Sequence, residues 1–349
     1  TFVRFGAPEE VGYLGKPHVG SDNLKKVVAN IRAHILRSGG EFRFCERLTD
    51  VRLYGGRLEA VITTRGEIAC DALVLAVGHS ARDTFEMLLA RGFVMEQKEF
   101  AVGVRIEHLQ SAIGRAQYGA GYAALPAADY KLVSHASDRA VFTFCMCPGG
   151  VVIPSASEPG GVVTNGMSNY ARSERNANSA LVVQVRRSDF GSEHPLAGVQ
   201  FQRKLERAAF LTAGGNYRAP VQLAGDFLAD KESYYFGEVK PSYAIGTSFV
   251  PMQAIFPRAI TDAMKAALPD LDRKLAGFAA YESVLTGVES RTSSPVRIVR
   301  DAQTMQAAGA EGVYPCGEGC GYAGGITSAA ADGIRVAEKI IEACLQRQA

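Results

Sequence analysis

The sequence predicts an α/β fold in two parts, and three observations support this. A strand that ends at Tyr314 is followed by a glycine-rich loop and by a helix that opens at Ile326. A β-meander spans Thr49 to Gly78, and its last stretch, DALVLAVG, is an apolar run typical of a buried parallel strand. Residues 101–282 mix strand and helix patterns, so we expect them to form an inserted α+β domain.

Composition is compatible with two domains and excludes several classes of partner. The chain has 349 residues, 47% of them apolar, and a net charge of +2. Its basic residues are scattered and no apolar run is long enough to span a membrane, so we expect no nucleic-acid and no membrane partner. Seven cysteines without a signal peptide favour a reducing, cytoplasmic location. We expect a small-molecule substrate, and the oligomeric state stays open.

The first part opens with a helix and a group of short strands. Ser21 to Gly40 carries apolar residues at helical spacing, and Glu41 to Cys45 is predicted to be a short strand. Glycine turns then separate three predicted strands of a meander, Thr49 to Tyr54, Arg57 to Thr64 and Ile68 to Gly78.

The meander is predicted to lead into a second crevice between a strand and a helix. Ser80 and Asp83 have the spacing of a capping box that would open a helix to about Arg91. Because ligands of open α/β sheets collect beyond the carboxyl ends of strands, we expect Gly78 and Gly317 to lie on the same rim.

The inserted segment contains two predicted strands and two predicted helices. The strands are Phe100 to Glu107 and Ala140 to Cys147, and the helices are Val199 to Thr212 and Ile260 to Leu268. The stretch PGGVVIPSASEPGGVVTNGMS indicates hairpins and loops. Cys145 and Cys147 would share one face of their strand, which leaves a redox or metal role open beside the simpler structural role.

The loop after Tyr314 is the strongest candidate for a binding site. Its five glycines are Gly317, Gly319, Gly321, Gly324 and Gly325, and the sequence around them reads YPCGEGCGYAGGI. Such glycines allow a flat ligand to touch bare backbone, and the start of the following helix favours negative charge. A tight turn without a ligand is the alternative.

Five separated segments resemble one bacterial family of uncharacterised FAD-dependent dehydrogenases, also called NAD(FAD)-utilising dehydrogenases. They are, in order, AVGHSARDTFEML, FCMCPGG, NGMSNYARS, GVESRTSSPVRI and YPCGEGCGYAGGI. The resemblance implies a Rossmann-like FAD/NAD(P)-binding domain of the glutathione-reductase type, with FAD bound non-covalently. It places that domain in residues 1–100 and 283–349 and a substrate or lid domain in residues 101–282.

By the same resemblance, Glu318 holds the ribityl chain or the pyrophosphate end of FAD. The amides from Gly324 to Thr327 would face the pyrimidine side of the isoalloxazine. The implied cofactor-binding residues are Leu48, Ala76, Gly78, His79, Gly317, Glu318, Gly319, Tyr322, Ala323, Gly324, Gly325, Ile326 and Thr327.

The sequence departs from this family at its start. Members begin with a GxGxxG strand–turn–helix and an acidic residue about twenty positions later, and neither occurs here. We therefore expect that the first βαβ unit is missing, and that this chain alone binds FAD poorly.

Several charged or reactive side chains are further candidates. Arg291 is the candidate catalytic residue, because its guanidinium would clamp a carboxylate substrate or stabilise reduced flavin; an inter-domain salt bridge is the alternative. Arg105 is open to the same two interpretations. Cys316 and Cys320 are either redox thiols near the flavin or small packing residues. The histidines, His79 and His108 among them, show no metal-ligand spacing and no catalytic triad, so we expect no metal centre.

These observations favour a flavin-dependent oxidoreductase, a dehydrogenase, in which the protein supplies the helix dipole, the ribityl carboxylate and a lid that excludes water. A non-catalytic flavoprotein whose middle domain binds a macromolecule is the alternative. A hydroxylating monooxygenase is a weaker third possibility.

Overall fold

The structure, a computed structural model, describes residues 1–14 and 18–348. It is a mixed α/β protein with one large mixed sheet, which confirms the predicted α/β class. The helices in these residues are α1 (Ser21–Arg37), α2 (Arg82–Ala90), α3 (Gln110–Tyr118), α4 (Ala197–Thr212), α5 (Ala224–Leu228), α6 (Arg258–Lys274) and α7 (Ile326–Gln348). None of them is both long enough and apolar enough to cross a membrane.

Within residues 1–14 and 18–348, the strands form one large sheet and four small ones. The first ones along the chain are β1 (Leu48–Tyr54), β2 (Arg57–Thr63), β3 (Gly66–Ala69), β4 (Leu73–Leu75), β5 (Met95–Gln97), β6 (Phe100–Leu109), β7 (Val133–Ser134) and β8 (Val141–Cys147). The later ones are β9 (Val151–Pro154), β10 (Thr164–Met167), β11 (Asn176–Val185), β12 (Ala219–Leu223), β13 (Thr247–Phe249), β14 (Val284–Glu289), β15 (Val296–Ile298) and β16 (Val313–Pro315).

The chain divides into two compact units. The first unit comprises Thr1–Phe42, Val102–Gln184 and Leu205–Ser290, and the second comprises Arg43–Ala101, Val185–Lys204 and Arg291–Ala349. Compactness does not identify a functional domain, so the boundaries predicted at residues 100 and 283 stay a prediction.

The first unit is built on a seven-stranded sheet in the order β13-β12-β14-β6-β11-β8-β7. β12 runs parallel to β13 and antiparallel to β14, and β14 runs antiparallel to β6. β6 is buried from Phe100 to His108 because other elements cover both faces of the sheet. The predicted strands and helices of this segment are confirmed as β6, β8, α4 and α6. The predicted hairpin is confirmed as β9 and β10, which pair antiparallel.

In the described residues, the second unit contains three small sheets packed around a shared apolar core. β1, β2 and β3 form the predicted antiparallel meander. β4 pairs in parallel with β16, and β5 pairs antiparallel with β15. The core between these sheets and α2 includes Leu58, Leu75, Phe85 and Val296. The final helix α7 begins at Ile326, as predicted.

Three local predictions in this region are wrong. Glu41 to Cys45 is not a strand: the stretch is exposed, and Cys45 lies in a turn with a φ of 56°. The third meander strand ends at Ala69, and Leu73–Leu75 forms a separate parallel strand in which Val74 is 43% exposed. The capping box at Ser80 is also wrong, because Ala81 occupies the N-cap of α2 without a side-chain hydrogen bond.

Candidate functional site

The glycine-rich loop begins where the parallel pair β4 and β16 ends. The Cys316 N–H donates to the Leu75 carbonyl at 2.9 Å, and this bond extends the pairing by one residue. The chain after β4 reaches Gly78 while the chain after β16 reaches Gly319, and the two glycines meet. A Cβ on Gly319 would lie 2.4 Å from the Gly78 carbonyl carbon. Gly78 and the glycine loop therefore share one rim, as the sequence predicted.

The glycines of this rim serve two different purposes. Gly319 and Gly321 are packing positions: a Cβ on Gly321 would lie 2.8 Å from the Val296 carbonyl oxygen. By contrast, a Cβ on Gly78, Gly324 or Gly325 would meet nothing within 4 Å. The first group lets the loop fold tightly, and the second leaves bare backbone beside open space. A tight turn explains the first group only.

The bare backbone leads directly into α7. The Gly324 N–H donates to Ser328 Oγ at 3.3 Å, and the first helical bond runs from the Ala329 N–H to the Gly325 carbonyl at 2.9 Å. The N–H groups of Gly325, Ile326 and Thr327 precede the first helical donor, Ala329, and belong to the positive end of the helix dipole. This end of the loop is therefore suited to an electron-rich ligand edge.

Glu318 is positioned by a histidine from the other side of the rim. His79 Nδ1 and Glu318 Oε1 are 2.5 Å apart, and the two side chains are 18% and 26% exposed. The carboxylate therefore stays accessible while His79 fixes its direction. His79 is thus a direct partner of Glu318, a contact that the sequence did not predict.

An ion pair beneath the loop holds Gly317 in place. Arg300 binds Asp332 with two hydrogen bonds of 2.9 and 2.6 Å, and the Gly317 N–H donates to Asp332 Oδ2 at 2.8 Å. Burial opposes ionisation of Asp332, but the hydrogen bonds from Arg300 and the Gly317 N–H outweigh it and lower its pKa. Tyr322, a predicted cofactor residue, lies with its ring centroid 3.7 Å from the Arg300 guanidinium carbon. Its hydroxyl donates to the Ile298 carbonyl at 2.9 Å, so Tyr322 also supports the loop.

The segment from Arg291 to Ser294 contacts both sides of the rim. Arg291 donates to Ser80 Oγ at 2.9 Å, and Ser294 Oγ donates to the Gly319 carbonyl at 2.8 Å. Lys98, which the sequence did not suggest, donates to Ser293 Oγ at 3.4 Å. Burial and then the charge of Arg297 lower the pKa of Lys98. Arg291 thus contacts the turn that carries His79, and its predicted catalytic role stays a prediction.

The two cysteines that flank Glu318 are buried. Burial raises the pKa of Cys316 to about 11 and that of Cys320 to about 12. The Cys320 thiol donates to the Leu75 carbonyl at 3.1 Å. Protonated thiols are poor nucleophiles, so these positions favour packing over redox chemistry.

Three further predicted cofactor residues are Ala76, Ala323 and Leu48. Two of them belong to the segments that form the rim, and Leu48 belongs to the meander. Ala76 is exposed between β4 and Gly78, and Ala323 leads from the packed glycines to Gly324. Leu48 opens β1 in the meander and packs against the core of the second unit.

Two candidates in the first unit, Arg105 and His108, are buried. Arg105 donates to Asn178 Oδ1 at 2.7 Å and lies 3.7 Å from Glu289. Burial lowers the pKa of His108 to about 3, so this histidine is neutral beside Ser283. The prediction that Cys145 and Cys147 share a face is wrong: the pairing register shifts at this point, Cys145 is exposed and Cys147 is buried. Among residues 1–14 and 18–348, no cluster of His, Cys, Asp and Glu is arranged to hold a metal ion.

Comparison with known proteins identifies the family to which this chain belongs. Residues 99–292 match the model of a family described as FAD-dependent protein, C-terminal domain-like. An uncharacterised protein of Clostridium beijerinckii (strain ATCC 51743 / NCIMB 8052) is 50% identical over 344 residues, which cover 97% of this chain. The chain spans only 64% of the length of that relative.

Proposed function

We propose that this chain, which belongs to the family of FAD-dependent proteins, is the larger part of a flavin-dependent oxidoreductase, a dehydrogenase acting on a small molecule. The predicted cofactor, FAD, is confirmed by that family. The rim carries the open glycines, Glu318 and the start of α7. These features support a flavin-binding site, which we call the flavin seat. The proposal depends mainly on the exposed backbone of Gly78, Gly324 and Gly325. A Cβ at any of these glycines would have no atom within 4 Å, so a planar group can approach the backbone there.

We assign each part of the rim a role toward the cofactor. Glu318, held by His79, accepts hydrogen bonds from the ribityl hydroxyls. The amides from Gly324 to Thr327 donate to the electron-rich edge of the ring, where the helix dipole adds to their effect. Arg291 adds positive charge beside them. When bound, FAD supplies the two-electron chemistry, and the residues of the chain bind and orient it.

The finer predictions from the sequence form part of the same proposal. We propose a Rossmann-like FAD domain in residues 1–100 and 283–349, with a substrate or lid domain in residues 101–282. The parallel pair of β4 and β16, followed by a glycine loop and a helix, is the arrangement expected for such a domain. A cytoplasmic location stays a prediction from the cysteine content.

The experiment is a titration of FAD against the full-length protein, followed by quenching of flavin fluorescence. Glu318→Gln should weaken FAD binding about tenfold, a loss of about 1.4 kcal/mol, because the amide is a weaker acceptor. Glu342→Gln is the matched control, since Glu342 lies on the exposed side of α7 and pairs only with Lys339 in the described residues. Equal affinities for the wild type and Glu318→Gln would remove Glu318 from the site.

A second candidate function, a non-catalytic flavoprotein with a macromolecular partner, is favoured by one observation. Tyr234, Tyr235 and Tyr281 are 75%, 73% and 54% exposed in the first unit, and tyrosine is enriched in protein interfaces. Rapid mixing of the dithionite-reduced holoprotein with a small quinone distinguishes the two. An enzyme should return its electrons to the quinone, whereas a flavin that serves only folding should stay reduced.

A further inference from the structure

A cleft in the first unit has the features of a second binding site. It measures about 270 Å³ and lies between His18 and strand β8, next to the edge strand β7. Three basic side chains line it, His18, Lys131 and Arg172, against one acidic side chain, Asp129. In the described part of the chain, neither Lys131 nor Arg172 has a carboxylate within ion-pair distance. The cleft therefore presents positive charge that a ligand would neutralise.

The basic groups influence one another inside the cleft. Burial lowers the pKa of His18 and so does the charge of Arg172, while a hydrogen bond with the Asn169 carbonyl at 3.1 Å and the charge of Asp22 oppose this. Lys131 and Arg172 outnumber the single carboxylate of Asp129 in the lining, so the cleft favours an anion over a cation. Tyr130, Phe144 and Met146 add apolar surface to the same cleft. A ligand that matches both properties carries a negative group on a small apolar body.

The backbone of the cleft is held in an unfavourable conformation. Cys145 and Arg172 have φ angles of 45° and 51°, in the left-handed region that side chains other than glycine rarely adopt. Fixed contacts hold both residues: buried Arg105 donates to the Cys145 carbonyl at 2.9 Å, and the Arg172 N–H donates to the Asn169 carbonyl at 3.0 Å. Strained residues that are held in this way cluster at binding sites.

We propose that this cleft binds a small organic anion, a carboxylate on an apolar or aromatic body, with Arg172 and Lys131 as the charge partners. The carboxylate contacts the two cations, and the body lies on Phe144 and Met146. The exposed Cys145 thiol lines the same cleft and is covered when the anion is bound. The inference does not rest on the flavin proposal, because all of its residues belong to the first unit.

The test uses benzoate as the probe and the alkylation of Cys145 by iodoacetamide as the readout, quantified by peptide mass spectrometry. At a benzoate concentration of about ten times the dissociation constant, mass action should slow the alkylation of Cys145 about tenfold. Exposed Cys45 and Cys344 are internal controls whose rates should not change. Benzamide, which has the same shape without the charge, should not protect Cys145.

Two variants test the charge partners. Arg172→Met and Lys131→Met should each raise the benzoate concentration needed for protection by about tenfold, because each loses a charge-assisted contact. Arg175→Met is the matched control, an exposed arginine three residues beyond Arg172, and should protect like the wild type. Equal protection by benzamide, or unchanged protection in both cation variants, would overturn the proposal. Loss of FAD binding in the same preparations would bear on the flavin proposal alone.

Discussion

Charged residues occupy opposite settings in the two units. In the first unit, Arg105, Glu107 and Glu289 lie on neighbouring strands β6 and β14, and none is more than 3% exposed. In the second unit, the side chains of His79 and Glu318 are 18% and 26% exposed at the end of a sheet. The same classes of side chain therefore serve internal structure in one place and remain accessible to a ligand in the other.

The buried group is incompletely satisfied. Glu107 accepts hydrogen bonds from Asn176 and Ser242, at 3.0 and 2.5 Å. Arg105 Nη1 and Glu289 Oε2 are 3.7 Å apart, and neither atom has a hydrogen-bond partner. Burial raises the pKa of both glutamates, that of Glu289 to about 7, despite the opposing charge of Arg105. Because these three side chains are buried, we expect them to affect the stability of the fold and not the binding of a ligand.

The largest expected effect breaks the buried group. Arg105→Met removes the cation while Glu289 and Asn178 stay buried, so the free energy of unfolding should fall by about 3–5 kcal/mol. Urea denaturation followed by circular dichroism measures this loss. Arg258→Met is the control in the same unit: its side chain is 92% exposed, and we expect a change within about 0.5 kcal/mol. Similar losses of unfolding free energy in the two variants would show that the buried network stabilises the fold no more than an exposed arginine does.

The second effect concerns pH. Folded Glu289 keeps its proton up to a pKa of about 7, whereas an unfolded glutamate loses it near 4.5. The folded state therefore binds more protons between these values, so stability should fall by about 3 kcal/mol as the pH rises through this window. Glu289→Gln should remove the fall in stability that Glu289 causes as the pH rises. The pKa of Glu107 is also raised, so a pH-dependent fall due to Glu107 should persist in the variant.

Urea melts at pH 5 and pH 8 check this expectation. The stability of the Glu289→Gln variant relative to the wild type should improve at the higher pH. A wild-type protein and a variant with the same pH dependence would contradict the account of Glu289.

The smallest expected effect on stability separates the two kinds of glycine in the second unit. Gly319→Ala places a methyl group against the Gly78 backbone, where a Cβ would lie 2.4 Å from the carbonyl carbon, and should cost about 1–3 kcal/mol. Gly324→Ala faces open space and should change stability by no more than about 0.5 kcal/mol. Thermal melting of the two flavin-free variants provides the measurement. An equal loss in both would erase the distinction between packing and open glycines.

The sequence predicted those features whose causes are local. Glycines after an apolar run, followed by alanine-rich helical spacing, identified the loop at Gly317 and the helix at Ile326 because turn and helix signals act over a few residues. The turns at Gly55 and Gly66 likewise identified the meander. The role of Glu318 came from the family resemblance of this segment and stays a prediction.

The features that the sequence missed depend on contacts between distant segments. Asp332 and Arg300 are 32 positions apart, and only folding brings them beneath Gly317. The pairing of His79 with Glu318 and the position of Lys98 beside Ser293 are equally non-local. Glu41 to Cys45 has the alternation of a strand but turns at Phe44 and Cys45, and β propensity alone does not make a sheet. The shifted register at Cys145 has no signal in the spacing of the two cysteines.

The most direct test of the flavin seat is the dissociation constant of FAD for full-length Gly324→Ala, compared with Gly319→Ala and the wild type. If the bare backbone at Gly324 contacts the ring, the added methyl group should weaken FAD binding about tenfold or more while stability is kept. The main effect of Gly319→Ala should instead be a loss of stability. Wild-type affinity in a stably folded Gly324→Ala protein would contradict the proposal that this rim holds the flavin.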